Sequence, residues 1–112
     1  MWRNIMVNIT LLIPQIISKL SILKPDKIIL FGSYAYGKPN ENSDIDLFLV
    51  KDDLKEDALD AYEIEAKIKL LDLISQYKIG FDILSASSQF LNSRDDHFYK
   101  VDILQNGKVI YE

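Results

Sequence analysis

The chain has 112 residues, a formal net charge of -4, 48% hydrophobic residues and no cysteine. That length fits one folded domain spanning residues 1–112, and the apolar content excludes an intrinsically disordered chain. The absence of cysteine excludes disulfides and thiolate metal sites and suits a reducing cytoplasm. The acidic balance opposes direct, non-specific binding to nucleic-acid backbones; it suits a protein that gathers cations or docks on a basic partner.

The first apolar stretch, Ile5 to Ile17, is interrupted by Asn8, Thr10, Pro14 and Gln15. It is shorter than the roughly 18–20 apolar residues of a membrane span and lacks a signal-peptide cleavage pattern, so no membrane or secretory segment is expected. Residues 5 to 22 carry Ile9, Leu12, Ile13, Ile16, Ile17 and Leu20 at helical spacing. Pro14 either opens that helix at its first turn or kinks a longer one. Lys27 to Phe31 is a β-branched run bounded by turn residues and reads as a buried strand. A short helix over Ser33 to Tyr36, a polar loop over Lys38 to Asn42 and a second strand over Ser43 to Val50 follow.

Leu54 to Tyr77 reads as one long helix with Asp53 as its N-cap. Leu54, Ala58, Ala61, Ile64, Ile68 and Leu71 form one apolar stripe; Leu59, Tyr62, Ala66, Leu70 and Leu73 form its neighbour. This wide arc is expected to pack on the sheet, although its margin could also meet a second protein. Lys78 to Leu84 is a third strand. Ser85 to Leu91 should hold a short serine-capped helix, Arg94 to Gln105 a further helix, and Lys108 to Tyr111 a terminal strand after the Asn106-Gly107 turn. Helices alternating with short strands imply an α+β fold, a small mixed sheet flanked by helices.

The chemistry centres on Gly32 to Val50. Asp44 and Asp46 are two apart at the head of a strand, so they share a face, roughly 6–7 Å apart at their α-carbons. Ile45, Leu47 and Leu49 should then enter the core. Adjacent carboxylates repel each other, and a divalent cation such as magnesium, which takes oxygen ligands, relieves this. Asp82 lies between Phe81 and Ile83 in an otherwise apolar strand. If that strand neighbours the second, three carboxylates converge, enough for metal-assisted phosphoryl chemistry. Gly32-Ser33 after an apolar strand allows a phosphate close approach to the backbone. Each feature also has a plainer reading: solvated carboxylates at a sheet edge, and a simple turn with Ser33 as N-cap. His97, the only histidine, reads as a surface residue, Tyr62 and Tyr77 as packing, and Trp2 as an anchor for the first helix. Tyr34 and Tyr36 flank the cleft, where they could stack on a base.

Gly32-Ser33, ten intervening residues and Asp44-Ile45-Asp46 resemble the signature of the DNA polymerase β-type nucleotidyltransferase superfamily. The short chain resembles its minimal nucleotidyltransferases, the antitoxin partners of HEPN-domain ribonuclease toxins. That resemblance implies a polymerase β-like nucleotidyltransferase fold, with Asp44 and Asp46 holding two metals and Asp82 holding the catalytic metal and accepting a proton. It implies Gly32 and Ser33 on nucleotide phosphates, with Mg2+ as cofactor and ATP as the AMP donor. The acceptor would be a toxin tyrosine, and the two proteins would form a hetero-oligomer. One departure stands out: many relatives carry an arginine between the serine and the next glycine, where this chain has Tyr34-Ala35-Tyr36. Lys38 is then the nearest cation for the triphosphate. Two other readings remain open: a catalytically weak antitoxin that acts by binding alone, and a nucleotidyltransferase acting on a small molecule.

Overall fold

The computed structural model describes residues 7–112, so Trp2 and the proposed helix start at Ile5 lie outside the described residues. Helix α1, Ile9–Leu20, starts where the Asn8 side chain accepts the Thr10 N–H at 3.1 Å. Pro14 therefore lies inside the helix, past the first turn, and deprives the Thr10 carbonyl of its usual donor. Leu12, Ile16 and Leu20 form the buried stripe.

Strands β1 (Lys27–Phe31), β2 (Ile45–Val50), β3 (Phe81–Ala86) and β4 (Lys108–Tyr111) form one mixed sheet in the order β3-β2-β1-β4. β1 runs antiparallel to both β2 and β4, whereas β2 and β3 are parallel. The fold is therefore mixed α+β, as the alternation of elements predicts. Its sheet is covered on both faces. On one face Ile28, Leu30, Ile45, Leu47 and Leu49 pack with α1, with Tyr62, Ala66 and Leu70 and with Leu73. On the other, Ile29, Phe31, Phe48, Val50 and Ala86 pack with Leu91 and Ile103. Phe31 and Phe98 meet edge to face at 5.7 Å, as do Phe48 and Tyr99 at 6.3 Å. Short helix α2, Ser33–Tyr36, follows β1 directly.

The long helix is corrected in three respects. A 3-10 turn at Glu56–Ala58 precedes α3, Leu59–Lys69, and α4, Leu71–Tyr77, continues after a break at Leu70. Asp53 is not a cap; its carboxylate pairs with Lys51 at 3.1 Å. Only the stripe with Tyr62, Ala66, Leu70 and Leu73 is buried, while Ile64, Ile68 and Leu71 are exposed. Both stripes cannot reach the sheet at once, because the sheet at this point ends at the edge strand β3. The third strand begins three residues later than expected, at Phe81, and helix α5 (Ser88–Ser93) is capped by Ser87, whose hydroxyl accepts the Phe90 N–H at 3.1 Å. Phe98–Gln105 winds as a π-helix, with the Asn106 N–H bonded to the Val101 carbonyl at 2.8 Å. Ile103 is buried on this helix and Leu104 is exposed. No helix among the described residues is long and apolar enough to cross a membrane.

Candidate active site

The parallel register of β2 and β3 sets Asp46 beside Asp82. β2 is an inner strand, so Asp46 is half-buried rather than solvated at an edge, while Asp82 on edge strand β3 is exposed. Phe81 joins the core on the opposite face, the alternation expected for that strand. The two carboxylates are within hydrogen-bonding reach. The Asp46 pKa is pushed up to about 6, first by burial, then by the hydrogen bond with Asp82 and by the charges of Asp82 and Asp44. Asp46 thus keeps its proton to higher pH than an ordinary carboxyl, and a cation beside it would offset the same repulsion.

Two glycines make room for these carboxylates. Gly32 has φ +76° and ψ -163°, a conformation that side-chain-bearing residues avoid, and a Cβ there would overlap the Asp46 carboxylate. Gly80, one residue before β3, lies against the carboxylate of Asp44, and a Cβ there would fall 2.7 Å from Asp44 Oδ1. The Gly80 carbonyl also accepts the Ile45 N–H at 3.0 Å, which ties the approach to β3 to the start of β2. Gly80 was missed by sequence reasoning; its signal is a glycine at the head of a strand that carries an acidic residue.

Asp44 immediately precedes β2, is exposed and faces Gly80. Among the described residues no three acidic or histidine side chains already form a cage for an ion. The contacting pair Asp46–Asp82, with Asp44 displaced toward Gly80, offers hard oxygen donors suited to magnesium.

Gly32 begins the turn that leads into α2, its carbonyl accepting the N–H groups of Ala35 at 3.0 Å and Tyr36 at 3.1 Å. Ser33 follows directly, beside the Gly32–Asp46 contact. Lys38 is exposed on the following loop, its backbone N–H bonded to the Ser33 carbonyl at 3.0 Å. Tyr34 is buried in the core, which removes it as a base-stacking platform. Tyr36 is exposed and donates its hydroxyl to the Asp102 carbonyl at 3.2 Å. His97 is at the surface, 3.7 Å from Asp102. Tyr62 and Tyr77 pack as expected, the first donating to the Leu23 carbonyl at 3.3 Å and the second accepting from Gln15 at 3.0 Å. A cavity of about 670 Å³ has Asp46 and Asp82 in its wall, with Phe31 of β1, Ile83 and Leu84 of β3 and Asp60, Glu63, Ile64 and Lys67 of α3.

A carboxylate pair on adjacent strands, facing a glycine turn after a third, offers oxygen donors beside a backbone that a phosphate could approach closely. The family model described as "Nucleotidyltransferase domain" matches residues 13–109. The chain belongs to this family and is a nucleotidyltransferase. Two proteins of Methanocaldococcus jannaschii, MJ0604 and MJ1305, are similar in sequence; their names provisionally class them as protein adenylyltransferases. MJ0604 is 35% identical over 76% of this chain and 77% of its own length. MJ1305 is 32% identical over 76% of this chain and 57% of its own length. Among solved structures, a toxin-antitoxin crystal structure with AMP-PNP matches with TM-score 0.59 and 25% identity, over 88% of this chain and 72% of that one. A crystal structure of a mutant of the toxin-antitoxin MntA-HpeT matches with TM-score 0.56 and 25% identity, over 95% of this chain and 73% of that one.

Proposed function

We propose that this chain is a magnesium-dependent adenylyltransferase that moves AMP from ATP to a hydroxyl, a tyrosine, of a HEPN-type ribonuclease toxin and so acts as its antitoxin. The observation that carries this reading is the Asp46–Asp82 contact, set by strand register and backed by Gly32. The names of the relatives and the toxin-antitoxin neighbour with AMP-PNP support it. Asp44, Asp46 and Asp82 hold the metal in this reading. When bound, magnesium neutralises phosphate charge and makes the acceptor hydroxyl more acidic. Gly32, Ser33 and Lys38 hold the triphosphate, and Asp82 takes the proton from the attacking hydroxyl. The acceptor oxygen forms a bond to the α-phosphorus, the bond from that phosphorus to the bridging oxygen breaks, and pyrophosphate leaves with the electron pair. The whole chain, 1–112, acts as one domain.

The test is incubation with labelled ATP, magnesium and the protein encoded by the neighbouring gene. The label is expected on a tyrosine of that protein and is expected to vanish with Asp44→Ala and Asp46→Ala. Label that persists in both variants removes these carboxylates from the mechanism. A second reading, neutralisation by binding alone, is favoured by the lack of any cation in α2, where Tyr34, Ala35 and Tyr36 stand. A triple Asp→Ala protein that still protects cells from the toxin supports it.

A further inference from the structure

The carboxylates have two unequal sides. Toward β1 lies Gly32, packed close to Asp46 and followed by Ser33. The cavity of about 670 Å³ takes in Asp46 and Asp82, Phe31 just before Gly32, and the near sides of β3 and α3, but none of Gly32, Ser33 and Lys38. Phosphoryl transfer goes in line, with the attacking oxygen entering opposite the leaving group. With the triphosphate on Gly32 and Ser33, the part of the cavity that runs toward α3 is left for the attacking hydroxyl.

The walls of that cavity specify what can carry the hydroxyl. Beyond the catalytic pair they combine Ile64 of α3 and Leu84 of β3 with the carboxylates of Asp60 and Glu63, against a single cation, Lys67. Glu63 is held by the Ser85 hydroxyl at 2.6 Å, so part of the acidic wall is fixed in place. Outside the mouth the apolar surface continues. Ile64 is 62% exposed, and Ile68 and Leu71, one and two turns further, are 57% and 55% exposed. Ile64 and Ile68, i and i+4, form one ridge on α3, whose reverse carries the buried Tyr62 and Ala66, and Leu71 opens α4 just past the break at Leu70. A row of solvated isoleucine and leucine leading into a cleft marks an interaction surface.

We propose that this groove between α3 and β3 is the acceptor site, and that it takes a polypeptide segment in which apolar residues and lysine or arginine flank the acceptor hydroxyl. The apolar side chains lie on Ile64, Ile68 and Leu84, and the basic ones meet Asp60 and Glu63. This proposal rests on the adenylyltransferase reading above. It adds that acceptor choice is made by this chain's own α3–β3 groove, separately from nucleotide binding.

The experiment uses the full chain with Mg-AMP-PNP. Fluorescein-labelled peptides, each with one tyrosine flanked by leucine and lysine or by leucine and glutamate, are titrated by anisotropy. Mg-AMP-PNP affinity is measured separately by calorimetry. The lysine peptide is expected to bind at least about tenfold more tightly than the glutamate peptide. Ile64→Glu and Leu84→Glu are expected to weaken it at least about tenfold while nucleotide affinity stays within about twofold. Asp60→Lys should narrow the preference for the lysine peptide. Ile68→Glu, fully on the surface ridge, guards against folding failure in the other variants, and thermal melts check each one. Equal binding of both peptides, or variants that weaken Mg-AMP-PNP and leave the peptide untouched, overturns the proposal. If peptides bind in the groove as expected but wild-type protein with Mg-ATP labels no hydroxyl, the adenylyltransferase reading fails while the groove stands.

Discussion

At the scale of single residues, the role proposed for Asp46 opposes its effect on stability. Its carboxyl is half-buried beside Asp82, and its pKa is raised to about 6 against an ordinary value of 3.8. The folded state therefore holds a proton that the unfolded state has released. Between pH 3.8 and about 6 the folded chain binds more protons, so stability falls as pH rises through that window, and above it the repulsion is fully present. In chelator-containing buffer, the melting temperature of wild type should decline from pH 4 to 7 more steeply than that of Asp46→Asn. At pH 7 the variant should melt higher, while its transfer activity falls by about a hundredfold or more, since several kcal/mol of charge stabilisation is lost. A variant that melts lower than wild type at pH 7 contradicts this account. The two glycines separate strain from placement. Gly32→Ala forces a side chain into a conformation costing on the order of 1–3 kcal/mol and displaces Asp46, so both melting temperature and activity should drop. Gly80→Ala has no such backbone strain; it crowds Asp44, so activity should fall with a smaller change in melting temperature.

At the scale of elements, the break at Leu70 divides α3 from α4 and separates two classes of apolar residue. Leu70 is fully buried between the helices and the sheet, whereas Ile68, two positions away, is 57% exposed. Leu70→Ala should destabilise by about 2–5 kcal/mol through lost burial and a cavity. Ile68→Ala should stay within about 0.5 kcal/mol of wild type in urea unfolding. A large effect from Ile68→Ala would mean that the ridge packs within this chain and is not available to a partner. Helix periodicity finds both residues equally well, and only the extent of the sheet beneath them tells them apart.

At the scale of the whole molecule, the site exists because elements distant in sequence meet: the β1–α2 turn, the start of β2 and the start of β3. A ligand that bridges them should tie the fold together. Magnesium with ATP is expected to raise the melting temperature of wild type by the mass-action term for binding only the folded state. In a variant carrying Asp44→Asn, Asp46→Asn and Asp82→Asn the shift should disappear, even if that variant starts from a higher melting temperature. A shift that survives in the triple variant would place the metal or nucleotide elsewhere.

Much of this was legible in the residues. The period of two in Ile45 to Val50 put Leu47 and Leu49 in the core and freed Asp46, and the apolar neighbours of Asp82 did the same for β3, because alternation is a property of the strand itself. The turn at Gly32-Ser33 and the short helix after it were equally local. Strand register, the break at Leu70, the π-helix after Phe98 and the contact of Gly80 with Asp44 were not, because each depends on which surface is already occupied by a distant segment. Sequence alone supplied three aspartates, a glycine turn and two apolar stripes. Tertiary packing decided that Asp46 and Asp82 stand side by side, that Tyr34 is core, and that one stripe ends in solvent beside the cleft. The reason is geometric: a side chain's direction follows from its own backbone, but its neighbour is set by how strands pair and how far the sheet extends.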